Sequence, residues 1–424
     1  MKYSTSALAL AVALGASPAA AQGMYGQQQS NPQQAVPEPQ QRNAQDNSQS
    51  QKGPKPSAKA QKALVDLQTA VNSNDVANIP AKLAAAKAVA STKDDRYIIG
   101  QLQLKAALAA KDNVAMAAAI DEIANSGYVD AATSGKLYAS LGTTFYNAKQ
   151  FDQAAAAFQK ASATDPRNVE ALTLLGEARF AQGQKAEAAA AFQRAVQMTV
   201  AAGQKPPEAL LKRAVGVAYE AQSPLAVELG REWAMSYPSA DSWRNSIAIY
   251  RNLNHPDVEG TLDLLRLMQV TGALSKPGDY ALFATAAADQ SNLNEAQAVV
   301  DAGIAAQVVN PKDPQFRDII AGLKAKPQAT AADLETATKA AVNGMALLRI
   351  GDRYYGMGNY SKAVELYRQS MGKPGVDPAI ANLHLGMALA RAGDKAGATA
   401  ALNAVTGPRA DIAKFWLAYL QQKA

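Results

Sequence analysis

The chain has 424 residues, two histidines and no cysteine, which bounds the chemistry open to it. Thiolate nucleophiles, thiolate metal sites and disulfides are all ruled out. His255 precedes Pro256 in a turn signal, and His384 falls inside a helical stretch. Neither has a second ligand at metal-binding spacing, so both read as structural residues. The acid pairs Asp94-Asp95 and Asp121-Glu122 stand at helix starts or on solvated faces. A carboxylate at such a place complements the helix dipole and needs no catalytic role. No Gly-rich phosphate loop follows a strand pattern, and neither Gly-x-Ser-x-Gly nor His-Glu-x-x-His occurs. These residues predict no catalysis, no cofactor and no metal site.

The elements that would carry any site are helical. From about Ser57 onward the chain is Ala-rich, and alanine is the strongest helix former. Turn signals at 110–113, 165–168 and 356–359 punctuate helices of about 12–16 residues. No alternating strand pattern stands out. Within this body, Leu141-Gly142-x-x-Phe145, Ala154, Phe158, Ala161 and Pro166 recur 34 residues later as Leu175-Gly176, Ala188, Phe192 and Ala195. A second good pair carries Gly351, Tyr354, Ala363, Tyr367 and Pro374, then Gly386, Ala398, Leu402 and Pro408. Weaker copies lie between the two pairs.

This 34-residue pattern resembles the tetratricopeptide repeat family. The resemblance implies an all-α solenoid of helical hairpins, a right-handed superhelix closed by a C-terminal capping helix. Small residues at 142, 176, 351 and 386 would sit on first helices, where second helices cross closely. Ala154, Ala188, Ala363 and Ala398 would face them, with Phe158, Phe192 and Tyr367 four residues further on the same face. The family's early Trp is replaced by Tyr138, Leu172, Leu347 and Asn382, and Arg179 stands where an aromatic is usual. The expected organisation is a leader over 1–21, a linker over 22–57 and degenerate hairpins over 58–134. Two clear repeats follow over 135–202, then degenerate hairpins over 203–343, two clear repeats over 344–412 and the capping helix over 410–424.

In this family the ligand lies in the concave groove lined by the first helices. The resemblance therefore places Lys136, Thr143, Tyr146, Asn147, Glu170, Glu177 and Phe180 on that surface. Asp352, Tyr355, Met387 and Arg391 follow in the second clear pair. Arg213, Arg244 and Arg251 would face the same way in the middle. The Lys/Asn/Arg clamp that one subset of the family uses for a terminal carboxylate is not matched, since Ala139 and Thr143 stand at its positions. The implied partner is another protein or peptide. Aromatic and arginine side chains serve glycans equally well, so a structural component that binds peptidoglycan or polysaccharide is the alternative.

Location is read from the first residues. Lys2, the apolar run 7–16 and Ala19-x-Ala21 form a secretory signal with cleavage before Gln22. The run is too short to span a bilayer, and no later segment is long enough, so no membrane span is expected in the mature chain. Residues 22–57 are rich in Gln, Asn, Pro and Ser and read as a disordered tether. The net charge of +6 is spread among interspersed acids. No basic block argues for nucleic acid. The expected place is the periplasm, with full secretion the other outcome.

Overall fold

The computed structural model describes residues 53–422; the expected leader and most of the expected linker lie outside these. The described residues form α-helices and connecting turns, with no strand among them. The chain divides into two compact units between Ala178 and Arg179.

In the first unit the helices are α1 (Gln61–Asn72), α2 (Ile79–Val89), α3 (Lys93–Ala110), α4 (Asn113–Asn125), α5 (Ala131–Asn147) and α6 (Phe151–Thr164). The unit boundary falls inside α7 (Val169–Ala181). The hairpins α3–α4 and α5–α6 pack most extensively, and α4 packs on α5. The chain enters α3 through Asp95, which is fully buried. Its carboxylate accepts from Ser57 N (2.8 Å), Ser57 Oγ (2.8 Å), Ser91 N (3.0 Å) and Thr92 N (3.1 Å). The Thr92 hydroxyl oxygen in turn accepts from Asp95 N at 3.1 Å, which completes a capping box. Burial alone would raise the Asp95 pKa, but the donors outweigh it and hold the carboxyl well below the usual range.

In the second unit α8 (Lys185–Ala201) is followed by α9 (Glu208–Glu220), α10 (Leu225–Ser236), α11 (Ala240–Asn254) and α12 (Val258–Val270). Next come α13 (Pro277–Asp289), α14 (Leu293–Ala305), α15 (Pro314–Lys324) and α16 (Ala331–Ala340). The unit ends with α17 (Gly344–Gly356), α18 (Tyr360–Met371), α19 (Pro378–Ala392), α20 (Lys395–Asn403) and α21 (Ala410–Gln422). The pairs α9–α10, α13–α14, α17–α18 and α19–α20 are hairpins. The stretch that breaks the sequence period becomes α15, packed on α13 and α14, and α16, packed on α17.

The residues that repeat in sequence repeat in packing. Ala154, Ala188, Ala363 and Ala398 are fully buried, as are Phe158, Phe192 and Tyr367. A Cβ at Gly142 would stand 2.6 Å from the Phe158 ring. At Gly351 it would stand 2.6 Å from the Tyr367 ring, and at Gly386 2.6 Å from Leu402 Cγ. Glycine is needed there because the second helix drives a ring or branched side chain onto the first helix's backbone. The turn between paired helices has its own period: Lys149, Gly183, Gly358 and Gly393 all adopt positive φ. His255 ends α11 in the same left-handed conformation, at φ 45°.

α21 caps α20 with its apolar face, and it also reaches far back along the unit. It packs on α10, α12 and α19. Phe415 and Trp416 are completely buried. Trp416 Nε1 donates to the Asp263 carbonyl at 3.3 Å, and Gln422 Nε2 donates to the Ala234 carbonyl at 2.7 Å. α12 is enclosed accordingly: every residue from Leu262 to Met268 is buried. The two helices fill the space that an open solenoid would leave to solvent in this part of the unit.

Candidate functional site

The residues expected to line the groove fall into three environments. On α5 and the start of α7 they lie at the surface. Lys136, Asn147 and Glu170 are exposed, and Thr143, Tyr146 and Glu177 are half-buried. The helix turns of α5 put Thr143 and Tyr146 or Asn147 on adjacent rows, three and four residues apart. Tyr146 packs edge-on against Phe151 with ring centres 5.4 Å apart. The Thr143 hydroxyl is turned back to the Ala139 carbonyl at 3.1 Å.

A second group is tied into the scaffold of the second unit. The Arg213 guanidinium lies 4.3 Å from the centre of the Phe180 ring. Arg244 grips Asp279 with two bonds, Nε to Oδ2 at 2.9 Å and Nη2 to Oδ1 at 3.2 Å. Asp279 also caps α13 by accepting from Lys276 N at 3.2 Å. Arg251 is half-buried; burial lowers its guanidinium pKa, and the Asp279 charge opposes that. The three arginines are therefore not a free cationic strip: Arg213 stacks on an aromatic ring, Arg244 is held by Asp279, and Arg251 is half-buried. Arg391 is exposed and bonds and stacks on Tyr360.

The third group is not on a surface. Asp352, Tyr355 and Met387 are 2%, 5% and 0% exposed. They sit on α17 and α19, as expected, but those faces look onto α12 within the unit. Tyr355 carries the Arg266 guanidinium over its ring at 4.7 Å. Asp352 accepts from Tyr367 Oη at 2.8 Å. Groove-lining positions thus became interior positions because the chain's own helices cover them.

Around these residues lies a buried polar centre that the sequence did not announce. Arg266, on α12, is 1% exposed. It forms two 2.8 Å bonds to Glu295 and a longer one, 3.3 Å, to Asp263. Arg349 donates to Glu259 at 2.6 Å, and Arg409 reaches Glu259 at 3.4 Å and Asp257 at 2.8 Å. His384 Nδ1 lies 2.7 Å from Asp352 Oδ1, and its Nε2 lies 3.3 Å from Asp263 Oδ1. Burial would lower the imidazole pKa, but the Asp352 and Asp263 carboxylates push it up to about 10. Burial likewise opposes ionisation of Asp352, yet His384 and the arginines hold its carboxyl far below the usual range. In a low-dielectric interior such charges persist only as a mutually paired set. The one signal in the sequence was acids and Arg on the apolar helix α12, at 259, 263 and 266, where a buried helix should carry none.

Two further surface features were also not foreseen. In the first unit Tyr97 and Tyr128 stack at 4.3 Å, with Lys93 5.9 Å from the Tyr128 ring. In the second, α8 and α10 border a cavity of about 410 Å³ lined by Gln193, Gln197, Glu228, Arg231 and Glu232 among others.

Paired antiparallel helices with small residues at each crossing and a 34-residue register define a helical-repeat protein. A family model described as the tetratricopeptide repeat matches residues 140–207 and 348–412. The two matched stretches are tetratricopeptide repeats. The chain is similar to the solved TPR2AB-domain:pHSP90 complex of yeast Sti1, at 14% identity over 68% of this chain and 96% of that chain, with a TM-score of 0.24. It is also similar to a tetratricopeptide repeat protein from Parabacteroides merdae, at 10% identity over 78% of this chain and 100% of that chain, with a TM-score of 0.22. No curated protein matches the chain.

Proposed function

We propose that this chain is a non-enzymatic scaffold of the bacterial cell envelope that captures a partner protein or peptide on the α5–α7 face of its first unit. Tetratricopeptide repeats are protein-interaction modules, and among the described residues no helix is long and apolar enough to cross a membrane. The observation that carries the choice of face is the contrast in burial. Lys136, Thr143, Tyr146, Asn147 and Glu170 are open or half-open, whereas Asp352, Tyr355 and Met387 are enclosed. A peptide laid along α5 would meet one aromatic ring and several polar groups, the mixture that gives orientation and moderate affinity. The leader-like first residues motivate the periplasmic setting.

The test is capture of envelope proteins by the purified chain and by a variant with Lys136→Glu, Tyr146→Ala and Asn147→Ala. Loss of a specific band by about tenfold, with unchanged circular dichroism, is expected for hot-spot residues. Arg391→Glu should leave capture intact. Undiminished capture by the triple variant would overturn the assignment of the face. Retention on insoluble wall material with no protein band would point to the polymer-binding alternative. N-terminal sequencing of protein from an envelope fraction tests the setting, with Gln22 expected first.

A further inference from the structure

The cavity of about 410 Å³ lies between α8 and α10, within the second unit. α9 packs closely on both helices, whereas α8 and α10 touch each other little. Each helix turns one face to the cavity. On α8 that face carries Gln193, Val196, Gln197 and Val200, spaced i, i+3, i+4 and i+7. On α10 the same spacing gives Glu228, Arg231, Glu232 and Met235, with Leu229 beside them. The volume falls in the range of small-molecule sites, about 300–1,000 Å³. The site includes no residue of the α5–α7 face proposed above for a partner.

The lining is apolar with a few charges of both signs. Val196 and Leu229 are buried, Met235 is half-buried, and Val200 leaves 46% of its surface exposed. The Arg231 side chain is only 17% exposed. Its Nη1 is sealed from solvent without a hydrogen-bond partner, and the guanidinium donates no hydrogen bond among the described residues. Asp411 Oδ1 stands 3.9 Å from Nη1, too far for a hydrogen bond, and is held by Lys414 at 3.0 Å. Burial lowers the Arg231 pKa, against the charges of Asp411, Glu228 and Glu232. A guanidinium this withdrawn from water and without an acceptor is rare and calls for one. Glu228 accepts from Gln193 Nε2 at 2.8 Å, and Glu232 accepts from the Ser236 hydroxyl at 2.8 Å. Neither glutamate forms an ion pair among the described residues. Each carboxylate has room for about four hydrogen bonds, so both keep acceptor capacity.

We propose that this cavity binds a small aliphatic zwitterion, a free α-amino acid or a dipeptide, with its carboxylate on Arg231, its ammonium on Glu228 and Glu232, and its side chain against Val196, Val200, Leu229 and Met235. Charge selects this class. A plain anion would gain Arg231 but face two glutamates. A plain cation would gain the glutamates but face Arg231. A zwitterion meets both signs and adds no net charge to a partly desolvated site. The planar guanidinium fork matches a carboxylate, and the ammonium supplies the donors that the glutamates can still accept.

The experiment titrates the full chain calorimetrically with L-leucine, alanyl-leucine, N-acetyl-leucine and leucine amide. One site per chain is expected for leucine or the dipeptide, and the tighter of the two names the source. N-acetyl-leucine lacks the ammonium and leucine amide lacks the carboxylate, so each should bind at least about tenfold more weakly. Arg231→Met and Glu232→Gln should weaken the zwitterion by a similar factor, and Glu187→Gln, on α8 outside the cavity, should not change it. A folded wild-type chain that binds neither zwitterion at millimolar concentration overturns the proposal, as does binding that survives Arg231→Met. Should the variants fail to fold, the ranking on the wild-type chain decides. Leucine amide or N-acetyl-leucine bound as tightly as leucine would reduce the site to one sign of charge and overturn the proposal equally.

Discussion

Adding one methyl group to Gly351 tests the repeat register directly. The new Cβ of Gly351→Ala would lie 2.6, 2.9 and 3.3 Å from three atoms of the Tyr367 ring. An ordinary contact is close to 4 Å, so the ring must move by about 1 Å. Tyr367 has little room to do so: it is fully buried, and its hydroxyl donates to Asp352 at 2.8 Å. Overpacking of this kind costs about 1–3 kcal/mol. Against it, alanine in a helix interior is worth about 0.5–1 kcal/mol over glycine. The balance is a loss of about 1–2 kcal/mol. Gly216→Ala is the control, because no atom lies within 4 Å of a Cβ at that position on α9. There the propensity gain stands alone, and the variant should be more stable than wild type by about 0.5–1 kcal/mol. All three tryptophans, at 233, 243 and 416, fall within the second unit, so their fluorescence during denaturation reports on that unit. At this size 1 kcal/mol shifts the melting point by about 2–4 °C, so Gly351→Ala should melt about 2–8 °C lower. A midpoint for Gly351→Ala at or above wild type would mean that α17 and α18 do not cross at this residue, and the packing argument would fail.

Other perturbations have equally definite outcomes. Trp416→Ala removes a fully buried ring that bridges α21 to α12 and should destabilise the second unit by about 3–5 kcal/mol. Lys414→Ala on the same helix, whose side chain is 54% exposed, should be close to neutral in the same melt. Arg244→Glu loses the two-bond pair and puts a like charge beside Asp279, and should cost about 1–3 kcal/mol by thermal denaturation. Equal melting for Arg244→Glu and wild type would count against that pair. Folding lowers the Asp95 pKa, so its contribution is complete above the unfolded value of about 3.9 and fades as pH falls through the native one. Wild type should therefore exceed Asp95→Asn in stability at pH 7, by about 1–3 kcal/mol, with the gap narrowing below pH 4 in circular-dichroism melts.

Some of this was legible residue by residue. Spacing placed Gly142, Gly351 and Gly386 at the helix crossings, opposite Ala154, Ala363 and Ala398; the structure shows that Phe158, Tyr367 and Leu402, four residues further along the second helix, are what press on those glycines. A hairpin brings together residues about 16 apart through a short turn, and helical periodicity fixes which faces meet. The same holds for helix ends: Pro166, Pro238 and Pro374 follow α6, α10 and α18 by two or three residues. His255 and the acids at 94–95 also behave as local rules require, one as a left-handed helix end and the others as caps and anchors.

The sequence by itself determined the hairpin, its period and the residues at each helix crossing, because those depend on neighbours within one repeat. Only the tertiary structure decided which first-helix faces stay open. Whether Asp352, Tyr355 and Met387 meet solvent depends on where α12 and α21 come to rest. The contacts that place those helices join residues far apart in the chain, Asp263 to Trp416 and Ala234 to Gln422. No local pattern encodes a pairing at that separation. The fold gains it by burying Phe415 and Trp416 in a space that the repeat pattern alone would leave to a ligand. The charges of α12 follow from the same closure: on an open helix Glu259, Asp263 and Arg266 would be ordinary solvated residues, and enclosure makes them a paired set with His384 at its centre.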